Sequence, residues 1–346
     1  MARRNGGRVI EMTDPAILTI VLNFRTPDLT LKAADAALRA MEGLRGEVLI
    51  VDNGSGDGSF GAMERAAKAR GWTSGGRLRV VESGRNGGFG AGVNFGIRCG
   101  LSTGVAPDFY YLLNSDAVPE TGAIGHLRDF LLEHPRAGIA GSFVQGVDGT
   151  PHQTAFRFPT VAGEFEGAAH TGVITRLLAQ SVVTMPIPDH ACPVDWTAGV
   201  SLMLRREMLD RIGGFDETFF LYFEETDLCL RAARAGWETH YLPSSRAAHV
   251  GSASTGAQKW GRTPTYWFDS RLYYFVKNHG AFYAGMATLA WVTGGILWKT
   301  RQLLTGKPDR NPKGFMTDMI AHDLRALFRR SAPPTHLANP LAEDRR

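Results

Sequence analysis

Four short runs, apolar at nearly every position and separated by stretches of helical periodicity, limit what the first part of this chain can become. They are 17–22, 47–51, 78–81 and 109–113. A strand with one wet face alternates apolar and polar residues, whereas a continuously apolar strand must be covered on both faces. Helical stretches over 31–44, 63–70 and 91–101 lie between the runs. The pattern is that of an α/β unit with a parallel sheet between layers of helices. Such sheets bind ligands beyond the carboxyl ends of their strands. Three runs end in small polar clusters at that edge: Asp52-Asn53-Gly54-Ser55, Gly84-Arg85-Asn86-Gly87-Gly88 and Asn114-Ser115-Asp116.

The pattern weakens from Gly141 to Pro193, which reads as irregular loops with a short hairpin. Order returns over 194–204, followed by helices near 206–212 and 224–235 and a strand-like run at 239–242. The helix at 224–235 carries an apolar stripe of Leu228, Ala232 and Ala235 and is closed by Gly236. An aromatic helix is expected over 266–276. Asn278 to Trp298 then runs for 21 residues without Asp, Glu, Lys or Arg. Beyond it, Ile320, Leu324, Leu327 and Phe328 share a helical face beside Arg325, Arg329 and Arg330.

Charge is unevenly placed. From Lys299 onward there are 10 Lys and Arg against 5 Asp and Glu, while the rest of the 346-residue chain holds 28 against 29. A basic surplus confined to the tail argues against a nucleic-acid binder. Next to an apolar segment it points to peripheral attachment at an anionic membrane surface. An ordinary core or homodimer contact and a true membrane span are the other readings of 278–298. Cys99, Cys192 and Cys229 lie too far apart for a zinc spacing or a disulfide framework, and a reducing, cytoplasmic compartment is expected. The basic start lacks an apolar run after it, so a cleaved secretory signal is not expected.

The polar clusters carry the chemistry. Asp52 can accept hydrogen bonds from a nucleobase or ribose, although an Asx-type turn needs the same residues without a ligand. The Gly84–Gly92 loop is a poor dinucleotide fingerprint, because it follows the third strand and no acidic residue follows at the required distance. It suits a backbone loop at a helix N-terminus that approaches a diphosphate, with Arg85 adding charge. Asp116 can hold a divalent cation, since hard cations prefer oxygen ligands, and a loop histidine such as His249 can join it. Glu224-Glu225-Thr226-Asp227 opens a helix after an aromatic run. Asp227 has Arg231 at i+4 and reads as mainly structural. Glu225 and Glu224 are both candidates for a general base that takes a proton from a hydroxyl.

Taken in order, these segments resemble the family 2 glycosyltransferases of the GT-A fold. The pieces are Thr19-Ile20-Val21-Leu22-Asn23-Phe24, Val51-Asp52-Asn53-Gly54-Ser55, Asn86-Gly87-Gly88-Phe89-Gly90-Ala91-Gly92-Val93-Asn94 and Leu112-Leu113-Asn114-Ser115-Asp116. They continue with Trp196-Thr197-Ala198-Gly199, Gly213-Gly214-Phe215-Asp216-Glu217, Phe223-Glu224-Glu225-Thr226-Asp227-Leu228 and His249-Val250-Gly251. The set is most similar to the rhamnosyltransferase subgroup. The resemblance implies a Rossmann-like, mixed and mainly parallel sheet flanked by helices over 15–255, with a donor half (15–120) and an acceptor half (121–255). A helical, basic extension over 256–346 would follow.

It further implies inverting transfer of rhamnose or another hexose from a dTDP- or UDP-sugar to a glycan or lipid-linked acceptor, at the inner face of the cytoplasmic membrane. Asn23, Asp52, Asn53, Arg85, Asn86, Gly88, Asn94, Asn114, Ser115 and Asp116 would line the donor. Asp116 and His249 would hold Mg2+ or Mn2+. Glu225 would be the base, with Trp196, Gly199, Glu224 and Asp227 on the acceptor side. Two positions depart from the family pattern: Asn114 replaces the first Asp of the DxD motif, and Glu225 replaces the usual Asp. The first departure keeps a second reading open, a nucleotide-sugar-binding module without transfer activity.

Overall fold

The computed structural model describes residues 14–251, 261–308 and 311–328. The basic start, Ser252, the Arg329-Arg330 pair and the side chains of Leu327 and Phe328 lie outside the described residues.

The first part of the chain alternates as its apolar pattern requires: β1 (Ile17–Asn23), α1 (Pro27–Ala40), β2 (Gly46–Asp52), α2 (Ser59–Ala69), β3 (Leu78–Glu82), α3 (Phe89–Cys99) and β4 (Phe109–Asn114). Then come β5 (Ala117–Pro119), α4 (Ala123–Glu133), β6 (Ala137–Gln145), β7 (Pro151–His152), β8 (Ala155–Phe156), α5 (Val161–Ala169) and α6 (Gly172–Leu177). Next are β9 (Cys192–Val194), β10 (Trp196–Thr197), β11 (Ser201–Arg205), α7 (Arg206–Ile212), α8 (Glu224–Arg234) and β12 (Glu238–His249). Three helices close the described chain: α9 (Thr265–His279), α10 (Ala281–Thr305) and α11 (Phe315–Phe328).

The main sheet runs β3-β2-β1-β4-β11-β6-β12-β5, with β7 on β6 and β9 on β12. β3, β2, β1 and β4 are parallel. β11 is antiparallel to both β4 and β6, and β12 returns parallel to β6. Both faces are covered. Ile17, Val21, Val48 and Ile50 pack with Ala33, Ala37 and Met63, while Leu18, Ile20, Leu49 and Val51 pack with Val93, Leu228 and Ala232. Consecutive residues thus enter different cores, which is why the runs have no polar alternation. Each such side chain contributes about 1.5–3 kcal/mol by burial. α8, with its predicted apolar stripe, is held on the second face beside α3 by this packing.

Three expectations need correction. The region 141–193 is not mainly loop: β6 extends to Gln145, and α5 and α6 follow. α5 escapes a search for helical periodicity because it packs through small residues. A Cβ on Gly294 of α10 would lie 2.5 Å from the carbonyl oxygen of Phe165 and 3.0 Å from Cβ of Ala168. The uncharged run 278–298 is not one helix either, since Gly280, at φ 89°, ends α9 and starts α10. The strand at 239–242 runs on to His249 through a register shift between Leu242 and Arg246, where Pro243 interrupts the apolar pattern.

A candidate donor and acceptor site at the strand ends

The parallel register places Asn23 beside Asp52 and Leu22 beside Asn114, so the polar clusters meet at one edge of the sheet. Asp52 is 1% exposed. Its Oδ1 accepts from Asn23 Nδ2 and from Ser55 Oγ, both at 2.6 Å, and its Oδ2 accepts from the Ser55 amide at 3.1 Å. Thr30 donates to Asn23 Oδ1 at 2.7 Å. Burial of so many polar atoms is tolerable because each finds a partner. Ser55 and Thr30, which sequence reasoning did not single out, thus fix the carboxylate and amide expected at the nucleoside.

The glycine-rich loop is tied to this cluster. Asn53 Nδ2 donates to the Gly88 carbonyl at 2.9 Å and to Asn86 Oδ1 at 3.2 Å, and the Gly88 amide donates to the same Oδ1 at 3.0 Å. Gly88 has φ 89°, and a Cβ there would lie 1.9 Å from the Phe220 carbonyl oxygen, which accepts from the Phe89 amide at 3.1 Å. Only glycine meets both demands. Through that contact the loop before α3 touches the aromatic run before α8. Arg85 stands at the rim, 3.6 Å from Glu217 and mostly exposed.

Asn94 has a different task from the one expected beside the donor. Its Nδ2 donates to the Phe215 carbonyl at 2.8 Å and to Glu217 at 3.1 Å, while its Oδ1 accepts from the Phe215 amide at 2.9 Å. It anchors the 214–217 loop.

Beyond β4, Ser115 accepts from Thr26 at 3.0 Å. Asp116 Oδ1 lies 3.0 Å from His249 Nε2, and the Val250 amide donates to the Asp116 carbonyl at 3.0 Å. The pairing of β5 with the end of β12 produces this meeting across 133 positions. One carboxylate and one imidazole, both largely buried, form a donor set that fits a divalent cation sharing its remaining positions with phosphate oxygens. Among the described residues no cluster of three or more His, Cys, Asp or Glu offers a closed metal cage.

The Asn114 amide donates to the Val200 carbonyl at 3.0 Å, and the next residue back, Gly199, faces α8. The Gly199 amide donates to Glu225 Oε1 at 3.0 Å. Burial pushes the Glu225 carboxyl above its ordinary range, against the pull of backbone amides including that of Gly199. Glu224, 1% exposed, is pushed up well beyond that, first by burial and then by the Glu225 charge. Its Oε2 has no hydrogen-bond partner among the described residues. Tyr222 and Phe223 enter α8 at φ 70° and 68°, a left-handed conformation that costs about 1–3 kcal/mol per non-glycine residue. No pattern of residue types marks that strain in advance.

Asp227 does not belong to the acceptor side. It is fully buried, and its carboxylate accepts from Arg231 Nε and Lys277 Nζ, each at 2.8 Å, and from Asn278 Nδ2 at 3.0 Å. Lys277 also reaches Asp216 at 2.8 Å. Burial raises the Asp216 carboxyl, but the Lys277 and Thr218 bonds outweigh it and hold the group at about 2. Trp196 stacks on Phe156 with centroids 4.1 Å apart and donates from Nε1 to the Arg157 carbonyl at 2.9 Å.

A known family is matched over the same residues. The model of the glycosyltransferase-like family 2 matches 15–269. An N-acetylglucosaminyl-diphospho-decaprenol L-rhamnosyltransferase of Mycobacterium tuberculosis is 30% identical over 257 residues, covering 71% of this chain and 79% of that protein. The rhamnosyltransferase WbbL of Escherichia coli is 45% identical over 56 residues, 16% of this chain and 21% of its own. A crystal structure of GalNAc-T7 with UDP, GalNAc and Mn2+ superposes with a TM-score of 0.50 at 12% identity, covering 90% of this chain and 55% of that one. The mixed sheet with its flanking helices is the GT-A arrangement, and the chain belongs to the rhamnosyltransferase-like glycosyltransferases of family 2.

Proposed function

We propose that this glycosyltransferase moves a hexose, rhamnose in the first instance, from a nucleoside diphosphate donor to a hydroxyl of a lipid-linked or polysaccharide acceptor, with inversion at the anomeric carbon. The observation that carries this reading is the position of Glu225. It stands at the first turn of α8, hydrogen-bonded to Gly199, whose neighbour Val200 accepts from the Asn114 amide at the end of β4, two residues before Asp116. The names of the M. tuberculosis and E. coli relatives support the sugar, and that of the M. tuberculosis relative supports a lipid-linked acceptor.

In this mechanism Asp52 and Asn23 hold the nucleoside, and the loop at Asn86–Gly88 approaches the diphosphate from the N-terminus of α3. The acceptor oxygen attacks the anomeric carbon on the face opposite the diphosphate. The new C–O bond forms as the bond to the leaving oxygen breaks, and Glu225 takes the hydroxyl proton. A base held this way is worth about 10²–10⁴ in rate. The raised proton affinity of Glu225 suits it to accept that proton. Asp116 and His249 would hold Mg2+ or Mn2+, which supplies positive charge against the growing charge of the leaving diphosphate.

Asn114 at the first DxD position favours a second reading, donor binding without transfer. One set of measurements separates them. The wild type and Glu225→Gln are titrated with dTDP-, UDP- and GDP-sugars with and without Mn2+, and product is followed with lipid-diphosphate and glycan acceptors. Transfer lost in Glu225→Gln with donor affinity retained supports the proposal. Binding without turnover in the wild type across all acceptors supports the second reading, and failure to bind any sugar nucleotide overturns both.

A further inference from the structure

α10 is apolar on both of its faces, and only one is covered. Ala284, Ala287, Gly294 and Trp298 are buried, and the close approach of Gly294 to α5 locks this face against the protein. The opposite face carries Phe282, Met286, Leu289, Ile296, Leu297, Leu303 and Leu304. At about 100° per residue these side chains fall within about 60° of one line along the helix. They are not marginally exposed: Phe282 is 82%, Leu289 63%, Leu303 89% and Leu304 82% accessible. Exposed Thr293 and Thr300 lie on the same line, with their hydroxyls bonded back to helix carbonyls. Single exposed apolar residues need no explanation, but a mainly apolar stripe over six turns marks an interaction surface.

The charges around the stripe identify its partner. α10 contains no Asp or Glu, and its two charged residues, Lys299 and Arg301, flank the stripe. Lys299, Lys307 and Lys313 are exposed and form no ion pair among the described residues. By contrast, the three carboxylates of α9 and α11 are occupied: Asp269 with His322, Asp318 with Arg262, and Asp323 with His322 and Arg271. Among the described residues the unpaired charge beside the stripe is therefore positive. Arg301 also bonds to Thr171 at the start of α6, whose Val173 and Leu177 are exposed as well.

We infer that the outer face of α10 is a docking surface for an anionic lipid bilayer, on which the helix lies parallel to the membrane plane. The 25-residue helix has the length and hydropathy of a membrane span. Its covered face argues for the parallel orientation, because crossing the bilayer would require tearing α10 from α5. A helix of this kind sinks its apolar face about 5–10 Å into the headgroup boundary while basic residues meet the phosphates. The geometry also changes which aromatics matter. Trp291 packs on Phe315 at 4.8 Å and Trp298 is buried, so Phe282 is the aromatic that enters lipid. The inference stands independently of the sugar and of the catalytic base.

The test is flotation of the full chain with vesicles of phosphatidylglycerol and phosphatidylethanolamine, with phosphatidylcholine vesicles as the comparison. The expected result is binding to the anionic vesicles, weakened by salt, and a loss of about tenfold or more in the triple variant Phe282→Asp, Leu289→Glu, Leu303→Glu. Melting temperature and nucleotide-sugar affinity should not change in that variant, because the three side chains make no buried contact. Lys299→Gln with Lys307→Gln should weaken the salt-sensitive part and leave the rest. Wild-type protein that stays free of anionic vesicles, or a triple variant that floats undiminished, would overturn the inference. So would a wild-type dimer without vesicle binding that the triple variant splits, which would assign the stripe to a second copy of the chain. Vesicle binding without sugar transfer would count against the enzymatic reading only.

Discussion

The amide of Gly199 donates to Glu225 Oε1 at 3.0 Å across a gap with no room for a side chain at position 199. A Cβ there would stand 2.4 Å from that oxygen and 3.0 Å from the Phe89 ring. Gly199→Ala must therefore displace the carboxylate. A misplacement of about 1 Å at a reacting group costs on the order of 10²-fold in rate. Steady-state kinetics should show that loss in kcat, with sugar-nucleotide affinity unchanged by calorimetry. A kcat within twofold of wild type would remove Glu225 from the reaction.

The two adjacent glutamates divide their roles by proton affinity. A coupled pair releases protons in two steps that belong to the pair. The Gly199 amide donates to Glu225 and favours its anion, whereas Glu224 Oε2 has no hydrogen-bond partner among the described residues, so Glu225 is assigned the charge and Glu224 the proton. Transfer should rise with pH on the acid side as that first proton leaves. Glu224→Gln preserves the neutral neighbour, so most of the neutral-pH rate and the position of the acid limb should remain. Glu225→Gln should lose about 10²–10⁴. The reverse pattern in a pH–rate profile would assign the base to Glu224.

Much of the polar edge at the strand ends is legible in the sequence because local chemistry produces it. A continuously apolar strand followed by Asp, Asn, Gly and Ser states both where the strand ends and what is left at its tip. Asp52, Asn86, Gly88 and Asp116 are of this kind. What could not be read depends on partners distant in the chain. Asn94 looks like a donor contact until the Phe215 backbone is found against it. Asp227 is read correctly as a partner of Arg231, but Lys277 and Asn278 lie about fifty residues away and no spacing rule reaches them. α5 is hidden because helices that meet through Gly and Ala leave no apolar period.

Lys277 should matter to stability and to turnover. It sits between Asp227 of α8 and Asp216 of the preceding loop. Lys277→Met leaves Asp227 with Arg231 and Asn278 but removes one charge-assisted bond from each carboxylate, at a cost of about 1–3 kcal/mol in urea unfolding. Asp216, held at about 2, contributes stability above the ordinary carboxylate range that fades as pH falls toward 2. The variant should lose part of that contribution, so its deficit should be largest near neutral pH and shrink in acid. Lys277→Arg should restore most of the kcat lost with the helix position. Equal stability of Lys277→Met and wild type at neutral pH would show that the bridge does not brace α8.

His322 gives the C-terminal helices a pH response of opposite sign. Burial lowers its proton affinity, but hydrogen bonds to Asp269 and Asp323 outweigh this and raise the imidazole to about 9. The folded value exceeds the unfolded one, so the stabilisation is complete below about 6.5 and disappears as pH rises through 9. Allowing for partial solvent screening, the effect is about 2 kcal/mol. Thermal melts of the wild type should weaken between pH 6.5 and 9.5 more than those of His322→Gln. Parallel curves for the two proteins would refute the assignment.

The left-handed turn at Tyr222 and Phe223 bears on how proteins of this kind can diversify. Both residues are held at positive φ by their surroundings, and the chain emerges from them directly into the acidic turn of α8. Grafting an acceptor loop from a relative upstream of residue 222 leaves this junction intact, whereas a graft that crosses it must carry its own means of holding the bend. On the proposed assignment of Glu225, acceptor preference is exchangeable on one side of two residues and welded to the proposed base on the other.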